Sequence, residues 1–241
     1  TVQVGAMDGR SNDPMYDMLV KLKNSYIQQG NKVLSDLSRW LPILIEPVPA
    51  NYQAMTETYA DIAKTKGLGC AVPIHAVVSY DSPTTMCRFC RVNTAEDAPQ
   101  RCKQMPDWMK LQIGTLDCEH SKRFFNEVFD LCIVQDPLPC SSLRKLLFEN
   151  SVPSQNIAML QMHVEGYEYI LLEGFLKEVP DSVLPLLINF EHKVMKDQDR
   201  LRPIQPRSRI EIVTQLLVSR GYILHDQGAD YLAVRVGASS E

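Results

Sequence analysis

Apolar and polar positions along the chain follow two periods, one near two residues and one near 3.6, and these take turns from end to end. Short apolar runs predict strands at TVQVGA, WLPILIEP, AVPIHAVVSY, FDLCIVQDP, IAMLQMHVEG and LLINFEHKV, and a closing hairpin, YILHDQGADYLAVRV, turning at Gln227-Gly228. Helical periods lie between them. One starts at Pro14 with Met15, Leu19, Leu22 and Tyr26 on its apolar face, behind an Asp13 N-cap. A second, PANYQAMTETYADIAK, carries Tyr52, Met55, Tyr59 and Ile62 on one side. Others are SLRKLLFEN, YEYILLEGFLKE and SRIEIVTQLLVSRG. In YEYILLEGFLKE the apolar stripe is Tyr167, Ile170, Leu171, Gly174 and Phe175, with Gly174 expected to allow a close approach to the sheet.

Strands that alternate with helices predict an α/β fold, a doubly wound parallel sheet with crossover helices. The alternation lapses over residues 81–128, where strand-like TTMCRFCRV is followed by a polar stretch and PDWMKLQIGTL. That segment has too few apolar positions to close a core, so it reads as an insertion into a single domain spanning 1–241.

Composition narrows the partners. A formal net charge of -4 argues against a broad basic face for nucleic acid. No run approaches the roughly 18 apolar residues of a membrane helix, so the expectation is a soluble chain. The chain opens at Thr1 inside a strand-like run, as expected of one processed or trimmed upstream. Seven cysteines, odd in number and widely spread, do not resemble a secreted disulfide framework. Cys87 and Cys90, with Cys102, Cys118 and His120 downstream, are zinc-ligand types, but residues three apart on a strand face opposite sides. The expectation is therefore no metal, reduced thiols and a reducing compartment, either cytoplasm or organelle interior.

Two features carry candidate chemistry at the start of the chain. Gly5-Ala-Met-Asp-Gly9 follows the first strand, where glycine lets a ligand approach backbone, and Glu46 ends the second, where a carboxylate can accept from ribose hydroxyls. Together they describe a nucleoside site. The loop has no complete dinucleotide or triphosphate fingerprint, no Lys or Arg stands within it, and Asp8 repels phosphate. A cofactor with ribose and no phosphate fits, and S-adenosylmethionine is the common one.

VQVGAMDGRSNDPMY, LIEPVPANYQAM, IHAVVS, PDWMKLQIGTL, LQMHVEGYEYILLEGF and INFEHKV, in this order, resemble the FkbM-type S-adenosylmethionine-dependent methyltransferases. The resemblance implies a Rossmann-like class I methyltransferase sheet of about seven strands, the last antiparallel. It implies that Gly5, Ala6, Asp8 and Gly9 line the cofactor loop, that Glu46 holds the ribose, and that Ala76 and Val77 lie near the adenine. The implied activity is O-methylation of a hydroxyl on a small molecule or sugar.

One position departs from that pattern. The family run is lysine-isoleucine-aspartate-valine-glutamate-glycine, and here it is Gln161-Met162-His163-Val164-Glu165-Gly166. An imidazole replaces a carboxylate, and two readings follow. In one, neutral His163 is the general base, with Glu165 orienting it or binding substrate. In the other, the site is vestigial and the protein is an interaction or structural subunit of a larger, possibly organellar, assembly. Glu191-His192, after the next strand, has two readings, facing the same cleft or, the favoured one, a solvated strand end.

Overall fold

The computed structural model describes residues 1–11, 13–21, 36–80, 85–125, 128–152, 157–201, 204 and 206–236. It divides into two compact units, Thr1–Ala76 and Val77–Glu241. Leu22 and Tyr26 of the expected first helix lie outside the described residues.

In the first unit, β1 (Val2–Val4), β2 (Ile43–Ile45) and β3 (Val72–Ile74) pair in parallel in the order β3-β2-β1. Val2 lies opposite Ile43, and Ile43 opposite Val72. Every residue of β1 and β2 is buried, as the continuous apolar runs of a parallel sheet require. Helix α1 (Pro49–Lys66) crosses from β2 to β3; it begins on a first-turn proline and ends at Gly67 in the left-handed region. Its Met55, Tyr59 and Ile62 share a core with Ala6, Met15, Leu19, Leu44 and Leu68. Asp13 caps the segment before it, accepting from the N–H groups of Met15 and Tyr16. That helix holds regular form only over Pro14–Tyr16 before widening into a π turn at Asp17–Lys21.

The second unit holds two sheets. The first contains β4 (Val77–Val78), β5 (Met86–Val92) and β6 (Ile133–Ser141), with β6 central, parallel to β4 and antiparallel to β5. Next come α2 (Leu143–Glu149), β7 (Met159–Met162), α3 (Glu168–Glu178), β8 (Leu187–Glu191), α4 (Lys193–Leu201), α5 (Arg209–Ser219), β9 (Tyr222–Asp226) and β10 (Asp230–Arg235). The second sheet runs β7-β8-β10-β9, with β7 and β8 parallel and β10 antiparallel to both its neighbours. The expected closing hairpin is present, and its last strand is the reversed one. Ser208 and Glu211 form a reciprocal capping box at the start of α5. Gly174 of α3 faces the Tyr80 ring closely enough that a Cβ would collide with it.

The structure corrects the sequence reading in four places. AVPIHAVVSY is not one strand: it breaks after Ile74, where His75 turns back toward the Pro47 carbonyl and stacks on Tyr52. FDLCIVQDP does not join β7 and β8 but contributes β6 to the three-stranded sheet, antiparallel to β5. Helix α4 went unpredicted because KVMKDQDRL is mostly charged and buries only Met195 and Gln198.

The fourth correction concerns the thiols. Six of the seven cysteines pair, Cys87 with Cys140, Cys90 with Cys118, and Cys102 with Cys132, leaving Cys70 free and exposed. The opposite facing of Cys87 and Cys90 across β5 is what sends them to different partners. All three bridges fall between residues 87 and 140, where one small apolar cluster packs Val92 and Ile113 against Met105, Met109, Val128 and Ile133. The cross-links restrict the unfolded chain of this region and so stabilise it.

Peptide mapping of the non-reduced protein is expected to recover these three pairs, and thiol titration of the denatured chain to find one thiol, from Cys70. Replacing Cys102 and Cys132 together with serine should lower unfolding free energy by about 3 kcal/mol. Seven titratable thiols would refute the pairing.

Candidate functional site

The expected nucleoside loop begins where β1 ends. Gly5 turns the chain at φ 78°, and the N–H groups of Gly5 and Ala6 both donate to the Ile45 carbonyl, at 3.0 and 3.3 Å. Met7 follows at φ 50°, in the left-handed region that side chains disfavour. Gly9, at φ 66°, admits no side chain: a Cβ there would stand 2.9 Å from the Tyr59 ring and 3.1 Å from Met55. Ala6 is buried and belongs to the core that α1 packs on.

Glu46 fastens this loop to β2. Its Oε2 accepts the Met7 N–H at 2.8 Å; its Oε1 accepts the Val48 N–H at 2.9 Å and the Asn51 side-chain amide at 3.4 Å. The residue is only 3% exposed. Burial pushes its pKa up to about 7, against the opposing pull of the Val48 and Met7 N–H groups. Asp8 behaves differently. Burial works against its charge, but the Ser11 N–H and hydroxyl and the Arg10 N–H hold its carboxyl below the usual range. Ala76 and Val77 are both buried, one just past β3 and the other opening β4. Sequence reasoning missed His75, whose Nε2 lies 3.0 Å from the Pro47 carbonyl and whose ring stacks on Tyr52 at 4.9 Å.

A second cluster forms in the other unit, at the ends of β7 and β8. These strands pair Gln161 with Asn189, and the buried Asn189 amide donates to Gln161 Oε1 at 2.8 Å. His163 is the first residue past β7 and keeps 37% of its side chain exposed. Its Nε2 stands 3.2 Å from Glu191 Oε2 and 4.0 Å from Glu165 Oε1. Glu191, not Glu165, is therefore the nearer carboxylate. His192, read as part of a solvated strand end, is fully buried: its N–H donates to the Ala229 carbonyl and its ring packs on Tyr231 at 4.1 Å.

The loop between these groups is held by Glu168, which sequence reasoning also missed. Its buried carboxylate accepts the Val164 N–H at 2.7 Å and the Gly166 N–H at 2.8 Å. Glu165, between those two donors, takes φ 56°, and Gly166 takes φ 90°. An available signal was an acid two residues past a glycine, opening an amphipathic helix, where the helix N-terminus favours negative charge. Burial raises the Glu168 pKa to about 8.

Burial alone would lower the His163 pKa, yet the carboxylates of Glu191, Glu168 and Glu165 push it up to about 9. A pKa raised to about 9 favours the imidazolium at neutral pH, while the general-base reading uses the neutral ring.

The folded-state pKa of His163 exceeds the ordinary value of 6.5, so its stabilising contribution is complete below 6.5 and is lost as pH rises through about 9. An NMR titration of its imidazole should show that raised midpoint, and Glu191→Gln should bring it down toward 6.5. An unshifted wild-type midpoint would contradict the geometry. Glu168→Ala strands two buried N–H groups and should cost about 2 kcal/mol or more in chemical unfolding. Compared with protein-family models, curated proteins and solved structures, the chain matches none of them.

Proposed function

We propose that the protein is an S-adenosylmethionine-dependent methyltransferase acting on a hydroxyl of a small molecule or sugar. One observation carries this reading: a glycine-turned loop leaves β1 and is fastened to the carboxylate that ends β2, its parallel neighbour. Ligand sites of open α/β sheets lie at the carboxyl ends of strands, and an acid after the second strand is the usual ribose partner. The strand orders β3-β2-β1 and β7-β8-β10-β9 support it, each matching one half of a class I methyltransferase sheet with a reversed last strand.

Gly5, Asp8, Gly9 and Glu46 carry cofactor binding in this reading. Glu46 Oε2 accepts one protein hydrogen bond and keeps a second lone pair for a ribose hydroxyl. The cofactor's sulfonium supplies an already activated methyl group, so the protein's task is placement, worth about 7 kcal/mol or more when the reacting atoms are well aligned. Three disulfides support an oxidising compartment rather than the reducing one expected, and the peptide mapping described above, applied to protein from its native source, tests this.

The enclosure of Glu46 favours a second reading, a methyltransferase-fold subunit without turnover that serves a larger assembly. Calorimetry with S-adenosylmethionine separates the two. The enzyme reading predicts saturable binding that Glu46→Ala weakens by about tenfold or more. No heat at about 1 mM cofactor would eliminate it and leave the subunit reading.

A further inference from the structure

His163, Glu165 and Glu191 offer one nitrogen and two oxygens, all within 4.8 Å of one another. We propose that they form a binding site for a divalent cation of the first transition series, Mn²⁺ through Zn²⁺. Such ions bind imidazole and carboxylate at about 2.0–2.2 Å, which sets neighbouring donor atoms roughly 3.0–3.5 Å apart. His163 Nε2 and Glu191 Oε2, at 3.2 Å, already stand at that spacing. Glu165 Oε1, at 4.0 Å, needs to close by less than about 1 Å, within reach of a side-chain rotation.

The set joins one imidazole to two carboxylates, donor types that such ions take together. The donors also sit on fixed backbone. Glu191 ends β8, His163 follows the paired strand β7, and Glu165 lies between the two N–H groups that Glu168 holds.

The donor set selects the class of ion. Imidazole disfavours Ca²⁺ and Mg²⁺, and the absence of thiolate from the cluster disfavours softer ions. The three side chains keep 37%, 19% and 12% of their surface exposed, leaving coordination positions for water or for a ligand oxygen. The cation site does not rest on the methyltransferase reading.

The test uses the full, disulfide-intact chain without S-adenosylmethionine. Titration with Mn²⁺, followed by the electron paramagnetic resonance of the free ion, should show one bound ion per chain, displaced by Zn²⁺. His163→Ala and Glu191→Ala should each weaken Mn²⁺ binding by about 100-fold or more, since even the outer partners of metal ligands cost about 10–100-fold. Should a variant fail to fold, Mn²⁺ added to the wild-type chain must still broaden the His163 imidazole resonances selectively. No binding at about 1 mM Mn²⁺, binding that the variants leave unchanged, or broadening elsewhere would each overturn the site. Cofactor binding is measured separately, so its failure leaves this result standing.

Discussion

Backbone N–H groups beyond the ends of parallel strands need acceptors once they are buried, and two glutamates meet that need here. Glu46 accepts from Met7 and Val48, and Glu168 accepts from Val164 and Gly166. A buried donor left unpaired costs about 1–3 kcal/mol, so each carboxylate determines whether its loop holds its shape. Both loops also contain a non-glycine residue in the left-handed region, Met7 in one and Glu165 in the other. Such a residue costs about 1–3 kcal/mol and persists only when its surroundings fix it. The same device thus shapes both candidate sites, and burial raises the pKa of both acids.

Charge follows from that arrangement. The carboxyl groups of Glu191, Glu168 and Glu165 all lie near His163 and raise its pKa. The ring then holds a proton under conditions where a histidine in water would release it. An aspartate at this position would add a carboxylate beside Glu191 and Glu165, whereas an imidazole can carry a positive charge there.

The region from Cys87 to Cys140 obeys a different constraint. Its apolar cluster is small, and several of its side chains, Met105, Met109 and Val128 among them, are only partly buried. Three disulfides and the long β5–β6 ladder tie its described residues together.

Much of the secondary structure was legible because periodicity is a local property. The apolar runs of β1, β2, β7 and β8, the faces of α1 and α3, the Asp13 cap and the final hairpin all follow from near neighbours in sequence. The placement of glycine and acid after the first two strands was equally local. What sequence left undecided depends on partners distant along the chain. Cysteine spacing excluded a bond between Cys87 and Cys90 but could not name Cys140 or Cys118, because those contacts arise from pairing across 53 and 28 residues. Whether Glu46 faces solvent or its own loop, and whether Glu191 or Glu165 stands beside His163, was likewise decided by tertiary structure. Burial and proximity set the charge state of an ionisable group, and both exist only once strands far apart in sequence lie side by side.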